Sequence, residues 1–146
     1  MSEEEDVRRA SKQFYSALNR MANGDAGPMD SAWSHRPDVT AQHPIDGREV
    51  GWDAVKASFE RFAQIATDGK IDLKDQLIHV VGDAAYEVGV EQGACKLGGH
   101  PVAIKHRVTN IYRREGGEWR MIHHHSDTSP SMMAVLARLQ APAVTK

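Results

Sequence analysis

The sequence predicts an α+β fold, with early helices wrapping a later antiparallel sheet, and three observations predict it. Apolar residues recur at three- and four-residue spacing in the first half of the chain. In the second half they alternate one-in-two between turns marked by glycine pairs. No Pro/Gly/Ser linker or low-complexity tract separates the halves, so a single domain is expected over 1–146, with its core at about 5–130 and a tail over 131–146.

The first helix is expected from Glu3 to Asn23, where Val7, Ala10, Phe14, Ala17, Leu18 and Met21 share a face. Ser2 and Glu5 have capping-box spacing, Glu3-Glu4-Glu5-Asp6 suit the positive end of the helix dipole, and Asn23-Gly24 is a stop signal. A short helix follows from Gly27 to Trp33, with Pro28 in its first turn and Met29, Ala32 and Trp33 inward. Val39–His43 reads as a short strand before the turn Pro44-Ile45-Asp46-Gly47. Trp52, Val55, Phe59, Phe62, Ala63 and Ala66 stripe a helix from Trp52 to Thr67, which Asp68-Gly69 ends.

Strands fill the rest. Lys70–Val81 alternates, but its phase slips near Leu77-Ile78, which predicts a bulge or strong twist there. After the Gly82-Asp83 turn, Ala84–Cys95 sets Tyr86, Val88 and Val90 against Glu87, Gly89 and Glu91. Gly98-Gly99 turns the chain into Val102–Arg113, and Gly116-Gly117 turns it again into Trp119–Asp127. Met132–Leu139 can form one or two helical turns.

Composition narrows the function. Hydrophobic residues are 40% and charged residues 26%, as in a packed globular chain. With Lys+Arg 18 against Asp+Glu 20, the net charge of -2 offers no basic surplus for nucleic acid or an anionic membrane. No apolar run approaches the ~20 residues that cross a bilayer, and the acidic N-terminus is unlike a secretory signal. The single cysteine, Cys95, precludes an internal disulfide and suits a reducing compartment. The expected location is therefore cytoplasmic.

The closing hairpin carries a family resemblance. Arg107-Val108-Thr109-Asn110-Ile111-Tyr112-Arg113-Arg114, a Glu115-Gly116-Gly117 turn, and Trp119-Arg120-Met121-Ile122-His123-His124-His125-Ser126 resemble the end of SnoaL-like domains of the nuclear transport factor 2-like superfamily. They are also similar to the association domain of calcium/calmodulin-dependent protein kinase II; His43-Pro44, Gly51-Trp52 and the helix after them fit the same pattern. The likeness spans about residues 5 to 130. It implies a cone-shaped, curved, mixed or antiparallel sheet wrapped by N-terminal helices, as in a cystatin-like roll. It also implies a cavity for a small-molecule ligand, a homodimer through the sheet's outer face, and no cofactor. The superfamily includes ketosteroid isomerase, polyketide cyclases, epoxide hydrolases and dehydratases beside non-catalytic assembly domains, so fold alone names no reaction.

Candidate site residues follow from the hairpin register. A two-residue Gly116-Gly117 loop sets Arg114 opposite Trp119; continued regularly, it sets Ile111 opposite Ile122, Thr109 opposite His124 and Arg107 opposite Ser126. The other face then collects His106, Val108, Asn110, His123, His125 and Asp127. The resemblance nominates the Arg107, Thr109, His124, Ser126 face as lining the cavity, with His123 and His125 toward the dimer interface. The kinase association domain has arginines at the positions of Thr109 and Ser126; this chain does not, so its ligand need not be anionic.

A histidine in an apolar cavity titrates near neutrality and can move a proton. That makes His124 the leading acid–base candidate, with Arg107 stabilising an oxyanion. His43 is a second base and Asp46 a third, although a hydrogen bond at the turn is the simpler role for His43. Ketosteroid isomerase chemistry needs a carboxyl pair that is not evident here. Glu91 opposes Arg107 if the Gly98-Gly99 loop has three residues and His106 if it has two. Trp33, Trp52 and Tyr15, with Phe14, Phe59 and Phe62, either wall a ligand cavity or fill the core, and helical spacing favours the core. His123-His124-His125 with His106 and Asp127 invites a metal reading, but a strand pair rarely converges three ligands, so no metal is expected. Cys95 lacks a catalytic partner and reads as inert. Two functions stay open: a cofactor-free isomerase, cyclase, dehydratase or hydrolase, and a non-catalytic binding or assembly module.

Overall fold

A computed structural model describes residues 2–140. Helix α1 covers Glu3–Met21, and the Glu5 backbone N–H donates to the Ser2 hydroxyl at 3.2 Å, so the predicted cap forms. Its buried face carries Val7, Phe14, Ala17, Leu18 and Met21, together with the polar Ser11 and Tyr15. Helix α2 is a single turn, Met29–Ala32. Strands β1 (Thr40–Gln42) and β2 (Glu49–Val50) flank the Pro44–Gly47 turn, and β2 was not foreseen. Helix α3 covers Trp52–Ala63. The long strands are β3 (Ala66–Val81), β4 (Ala84–Leu97), β5 (His100–Glu115) and β6 (Glu118–Ser126), and α4 (Pro130–Gln140) follows.

The six strands make one curved, unclosed sheet in the order β2-β1-β6-β5-β4-β3. Strand β1 runs parallel to β6 and antiparallel to β2, and the four long strands form an antiparallel meander. Such a sheet buries one face against α1 and α3, and among the described residues none covers the middle of the other. The core centres on Trp33, which is fully buried and lies 6.3 Å from Phe14, 5.9 Å from Phe59 and 6.4 Å from Trp52, centroid to centroid. The Trp33 and Trp52 rings therefore do the filling that helical spacing suggested.

Three irregularities shape the sheet. Helix α3 stops at Ala63, so Thr67, Asp68 and Gly69 belong to β3 and not to a helix end; the β3–β4 register slips between Thr67 and Lys70, where Asp68 takes φ 53°. A second slip lies between Lys74 and Leu77, close to the predicted phase break. Between these bends β3 crowds β4 at Gly93, where a Cβ would sit 1.9 Å from the Lys70 carbonyl oxygen. Only glycine permits that approach.

The third irregularity overturns an expectation. The β5–β6 hairpin pairs Arg114 with Trp119 and Tyr112 with Met121, as the Gly116-Gly117 turn requires, but then slips so that Ile111 faces His123. Ile122 is the extra residue. Beyond it Asn110 opposes His124, Thr109 opposes His125 and Val108 opposes Ser126. One bulge residue exchanges the faces of everything beyond it.

Candidate functional site

The inner face of β5 presents Tyr112, Asn110, Val108, His106 and Ile104, all buried, and because of that bulge β6 adds His124 and Ser126 to it. Arg107 and Thr109 face outward. The expected face of Arg107, Thr109, His124 and Ser126 is thus corrected: His124 and Ser126 lie inside, and Arg107 and Thr109 outside. Arg107 is 83% exposed and holds Asp127 through Nε at 2.8 Å, far from the role expected of it. Ser126 is buried with no partner for its hydroxyl among the described residues, and it does not line the chamber. His123, half-buried, bonds Thr40 at 2.7 Å, and exposed His125 shares its outward side; with His106 inside and Asp127 on Arg107, that set does not converge on one point. Among the described residues no three His, Cys, Asp or Glu side chains are arranged to hold a metal ion.

Strand β4 supplies the charge. Its alternation places Glu87 and Glu91 inward and Tyr86, Val88 and Val90 outward. The Gly98-Gly99 loop has two residues, so Glu91 opposes His106. Glu91 Oε1 accepts from His106 Nε2 at 2.8 Å, Oε2 accepts from the Tyr15 hydroxyl at 2.9 Å, and His124 Nε2 lies 3.7 Å from Oε2. Asn110 ties this group to Glu87. Its amide donates to the Tyr15 oxygen at 3.0 Å and to Glu87 Oε1 at 2.9 Å, and its carbonyl meets His124 Nδ1 at 2.6 Å. Tyr112 and Gln76 also donate to Glu87, at 2.8 and 2.7 Å.

Burial alone would push the Glu91 carboxyl up, but the field of His124 and the hydrogen bonds from His106 and Tyr15 outweigh it, so it rests below the ordinary glutamate value. His124 is held below the usual histidine value by burial, partly countered by Glu91. Burial keeps the Tyr15 and Tyr112 phenols protonated.

Above Glu91, His106 and His124 lies a chamber of about 50 Å³, walled by apolar groups that include Leu18, Met21, Phe59, Phe62, Ile104 and Met132. His43 stands at its wall, its Nε2 bonded to Ser58 Oγ at 2.8 Å. Since the Ser58 proton goes to the Val55 carbonyl at 2.6 Å, His43 donates that bond. Burial, with His124 nearby, pushes His43 down to about 3, so its ring is neutral. His43, Ser58 and Phe62 also border an outer recess of about 330 Å³, lined by Ile45, Arg48, Ile65 and Leu136. Trp33 and Trp52 line neither space, and Tyr15 acts through Glu91.

Of the residues expected at the site, His124, His43 and Glu91 line the chamber and Tyr15 bonds Glu91, whereas Asn110 and His106 lie on the inner face against expectation and Glu87 was not singled out. The available signal was two glutamates four apart on a strand whose alternate positions are Tyr86, Val88 and Val90. Cys95, read as inert, also lines the chamber, its thiol pushed up by burial.

Comparison with known proteins agrees with this architecture. A solved structure from Streptomyces avermitilis, described as a proposed dehydratase of the NTF2-like family, matches with TM-score 0.76 and 25% identity over 86% of this chain and 95% of that one. A proposed calcium/calmodulin-dependent protein kinase type II association domain from Thiobacillus denitrificans matches with TM-score 0.64 and 24% identity over 82% and 92%. The S. rosetta CaMKII hub matches with TM-score 0.71 and 18% identity over 88% and 98%, a likeness of fold. A search of curated proteins finds no match. The family model for the SnoaL-like domain matches residues 7–132, and the chain belongs to that family.

Proposed function

We propose that this chain is a cofactor-independent acid–base enzyme acting on a small, mostly apolar molecule: a dehydratase, isomerase, cyclase or hydrolase in which His124 moves the proton. The observation that carries the reading is His124 at the floor of an apolar chamber, tied through Nδ1 to Asn110 with Nε2 3.7 Å from the buried Glu91 carboxylate. A neutral imidazole can accept a proton there, and the adjacent carboxylate stabilises the imidazolium that results. Tyr15 and His106 hold that carboxylate in place. The Streptomyces avermitilis neighbour, described as a proposed dehydratase, supports the same class.

The chamber is smaller than the few hundred cubic ångströms of an ordinary ligand site, so it takes the reactive end of a substrate whose apolar remainder lies in the outer recess. Arg107 has no part in this scheme. Turnover assays on a panel of small hydroxy and carbonyl compounds test it. With an active compound in hand, His124→Ala is expected to lower turnover at least tenfold, about 1.4 kcal/mol of barrier. An unchanged rate would reject His124 as the proton carrier.

A second reading, a non-catalytic assembly module, draws support from the uncovered face of the sheet. Leu77 and Tyr86 are exposed there, with Val88, Val90 and Ile111 half-buried beside them. Apolar side chains grouped on an open sheet face suit association with a partner. We propose a second copy of the chain as that partner under either reading. Gel filtration with light scattering checks it, and a monomer at micromolar concentration would remove it.

A further inference from the structure

We propose that the inner chamber is a site for a hydrogen-bond donor: it binds a hydroxyl group, of an alcohol or of water, on the bare Nε2 of His124. This names the substrate group for the acid–base reading and rests on that reading for its catalytic meaning, though not for the binding itself.

The argument begins at Glu87, which is fully buried. Three donors converge on its carboxylate, from Asn110, Tyr112 and Gln76. A carboxylate only accepts, so the Asn110 side facing it is the NH2 group. The Tyr15 oxygen gives the same answer independently: its proton is committed to Glu91, so it too can only accept from Asn110. Both amide protons of Asn110 are thereby spent, and its carbonyl oxygen must face His124 Nδ1 at 2.6 Å. That contact requires Nδ1–H. A neutral His124 then carries no proton on Nε2.

His106 stands beside it on the same carboxylate. Its Nε2 donates to Glu91 Oε1, and its Nδ1 is buried with no hydrogen-bond partner among the described residues. The residue is 6% exposed and lines the chamber, as His124 does. Glu91 cannot satisfy His124 Nε2 either, since both are acceptors. The chamber wall thus presents His124 Nε2 as an acceptor that no hydrogen-bond donor of the described residues meets, and such a group is costly to leave unpaired until a donor arrives. A hydroxyl or water supplies it; a ketone or ether oxygen does not. At about 50 Å³ the space suits such a small group, with the substrate's carbon skeleton against Phe59, Phe62 and Met132.

The test uses the full chain with ¹⁵N-labelled histidine at pH 8, and cyclopentanol and cyclopentanone as probes of equal skeleton. The ligand-free protein should show Nδ1–H at His124 and Nε2–H at His106. Cyclopentanol should perturb His124 Nε2 and bind at least tenfold more tightly than the ketone. Equal or tighter binding of cyclopentanone, or a proton on His124 Nε2 in the ligand-free protein, would overturn the assignment. In Glu87→Gln the new amide can donate to Asn110 and release its orientation, so the His124 tautomers should mix and the preference for alcohol should shrink. A preference unchanged in that variant would remove Glu87 from the chain of causes. Neither readout involves turnover, so a protein that prefers the alcohol but transforms no substrate loses the enzyme reading alone.

Discussion

Along the Tyr86–Glu91 stretch of β4, the two faces of the sheet reverse the ordinary distribution of polarity. The face packed on the helices carries Glu87, Glu91, His106, Asn110 and His124, all buried, while the uncovered face carries Leu77, Tyr86, Val88 and Val90. Burying charge is costly unless every polar atom is paired, and exposing a valine stripe invites association. The inner face meets its cost with a hydrogen-bond network running from Gln76 through Glu87, Asn110 and Tyr15 to Glu91. His106 Nδ1 remains without a partner among the described residues. A strand can therefore be laid down with its charged positions inward when its neighbours supply donors, and the apolar positions then become an interface.

Adjacent residues on β4 give the sharpest way to break this contrast. Glu91→Ala leaves the Tyr15 and His106 donors without an acceptor and is expected to cost about 3 kcal/mol or more in urea unfolding. Val90→Ala, one residue away but outward, should cost under about 1 kcal/mol when measured on the monomer. Comparable losses at both positions would erase the distinction between the faces.

Acid should act on the inner face first. The folded value of His43 is about 3 against an ordinary 6.5, so between those limits the unfolded chain binds more protons. Stability from His43 is complete above pH 6.5 and is lost as pH falls toward 3, at about 1.4 kcal/mol per pH unit. His124, also depressed, adds loss of the same sign below 6.5. Glu91, held below its ordinary 4.5, adds more at lower pH. Urea titrations at pH 8, 6, 5 and 4 should show the decline, and His43→Gln should make it shallower. A flat profile would mean that these rings are not buried neutral.

The outer face responds to charge. Val90→Lys should weaken self-association at least tenfold without unfolding the chain, read by sedimentation at several concentrations. The smallest effect belongs to Arg107→Ala. Its guanidinium bonds Asp127 in solvent, so turnover and melting temperature should stay at the wild-type level. A tenfold loss of turnover would return Arg107 to the site and contradict the observed register.

Much of the fold was legible. Capping at Ser2, the helix stripes, both glycine-pair turns and the slip in β3 are written in local residue order, because each depends on neighbours a few positions apart. Less of the site was. His124, His43, Tyr15 and Glu91 stood out as polar groups amid apolar patterns, but their company depended on one bulge at Ile122, which no turn residue marks. The small β2 strand escaped notice for a similar reason: it exists through its pairing with β1.

What the sequence determined by itself was periodicity: where helices begin, where strands turn, and that Glu87 and Glu91 share one side while Tyr86, Val88 and Val90 share the other. Which side faces the helices was decided only in three dimensions. Strand alternation is symmetric under exchange of faces, and packing against the helices, including Tyr15 of α1 on Glu91, breaks that symmetry.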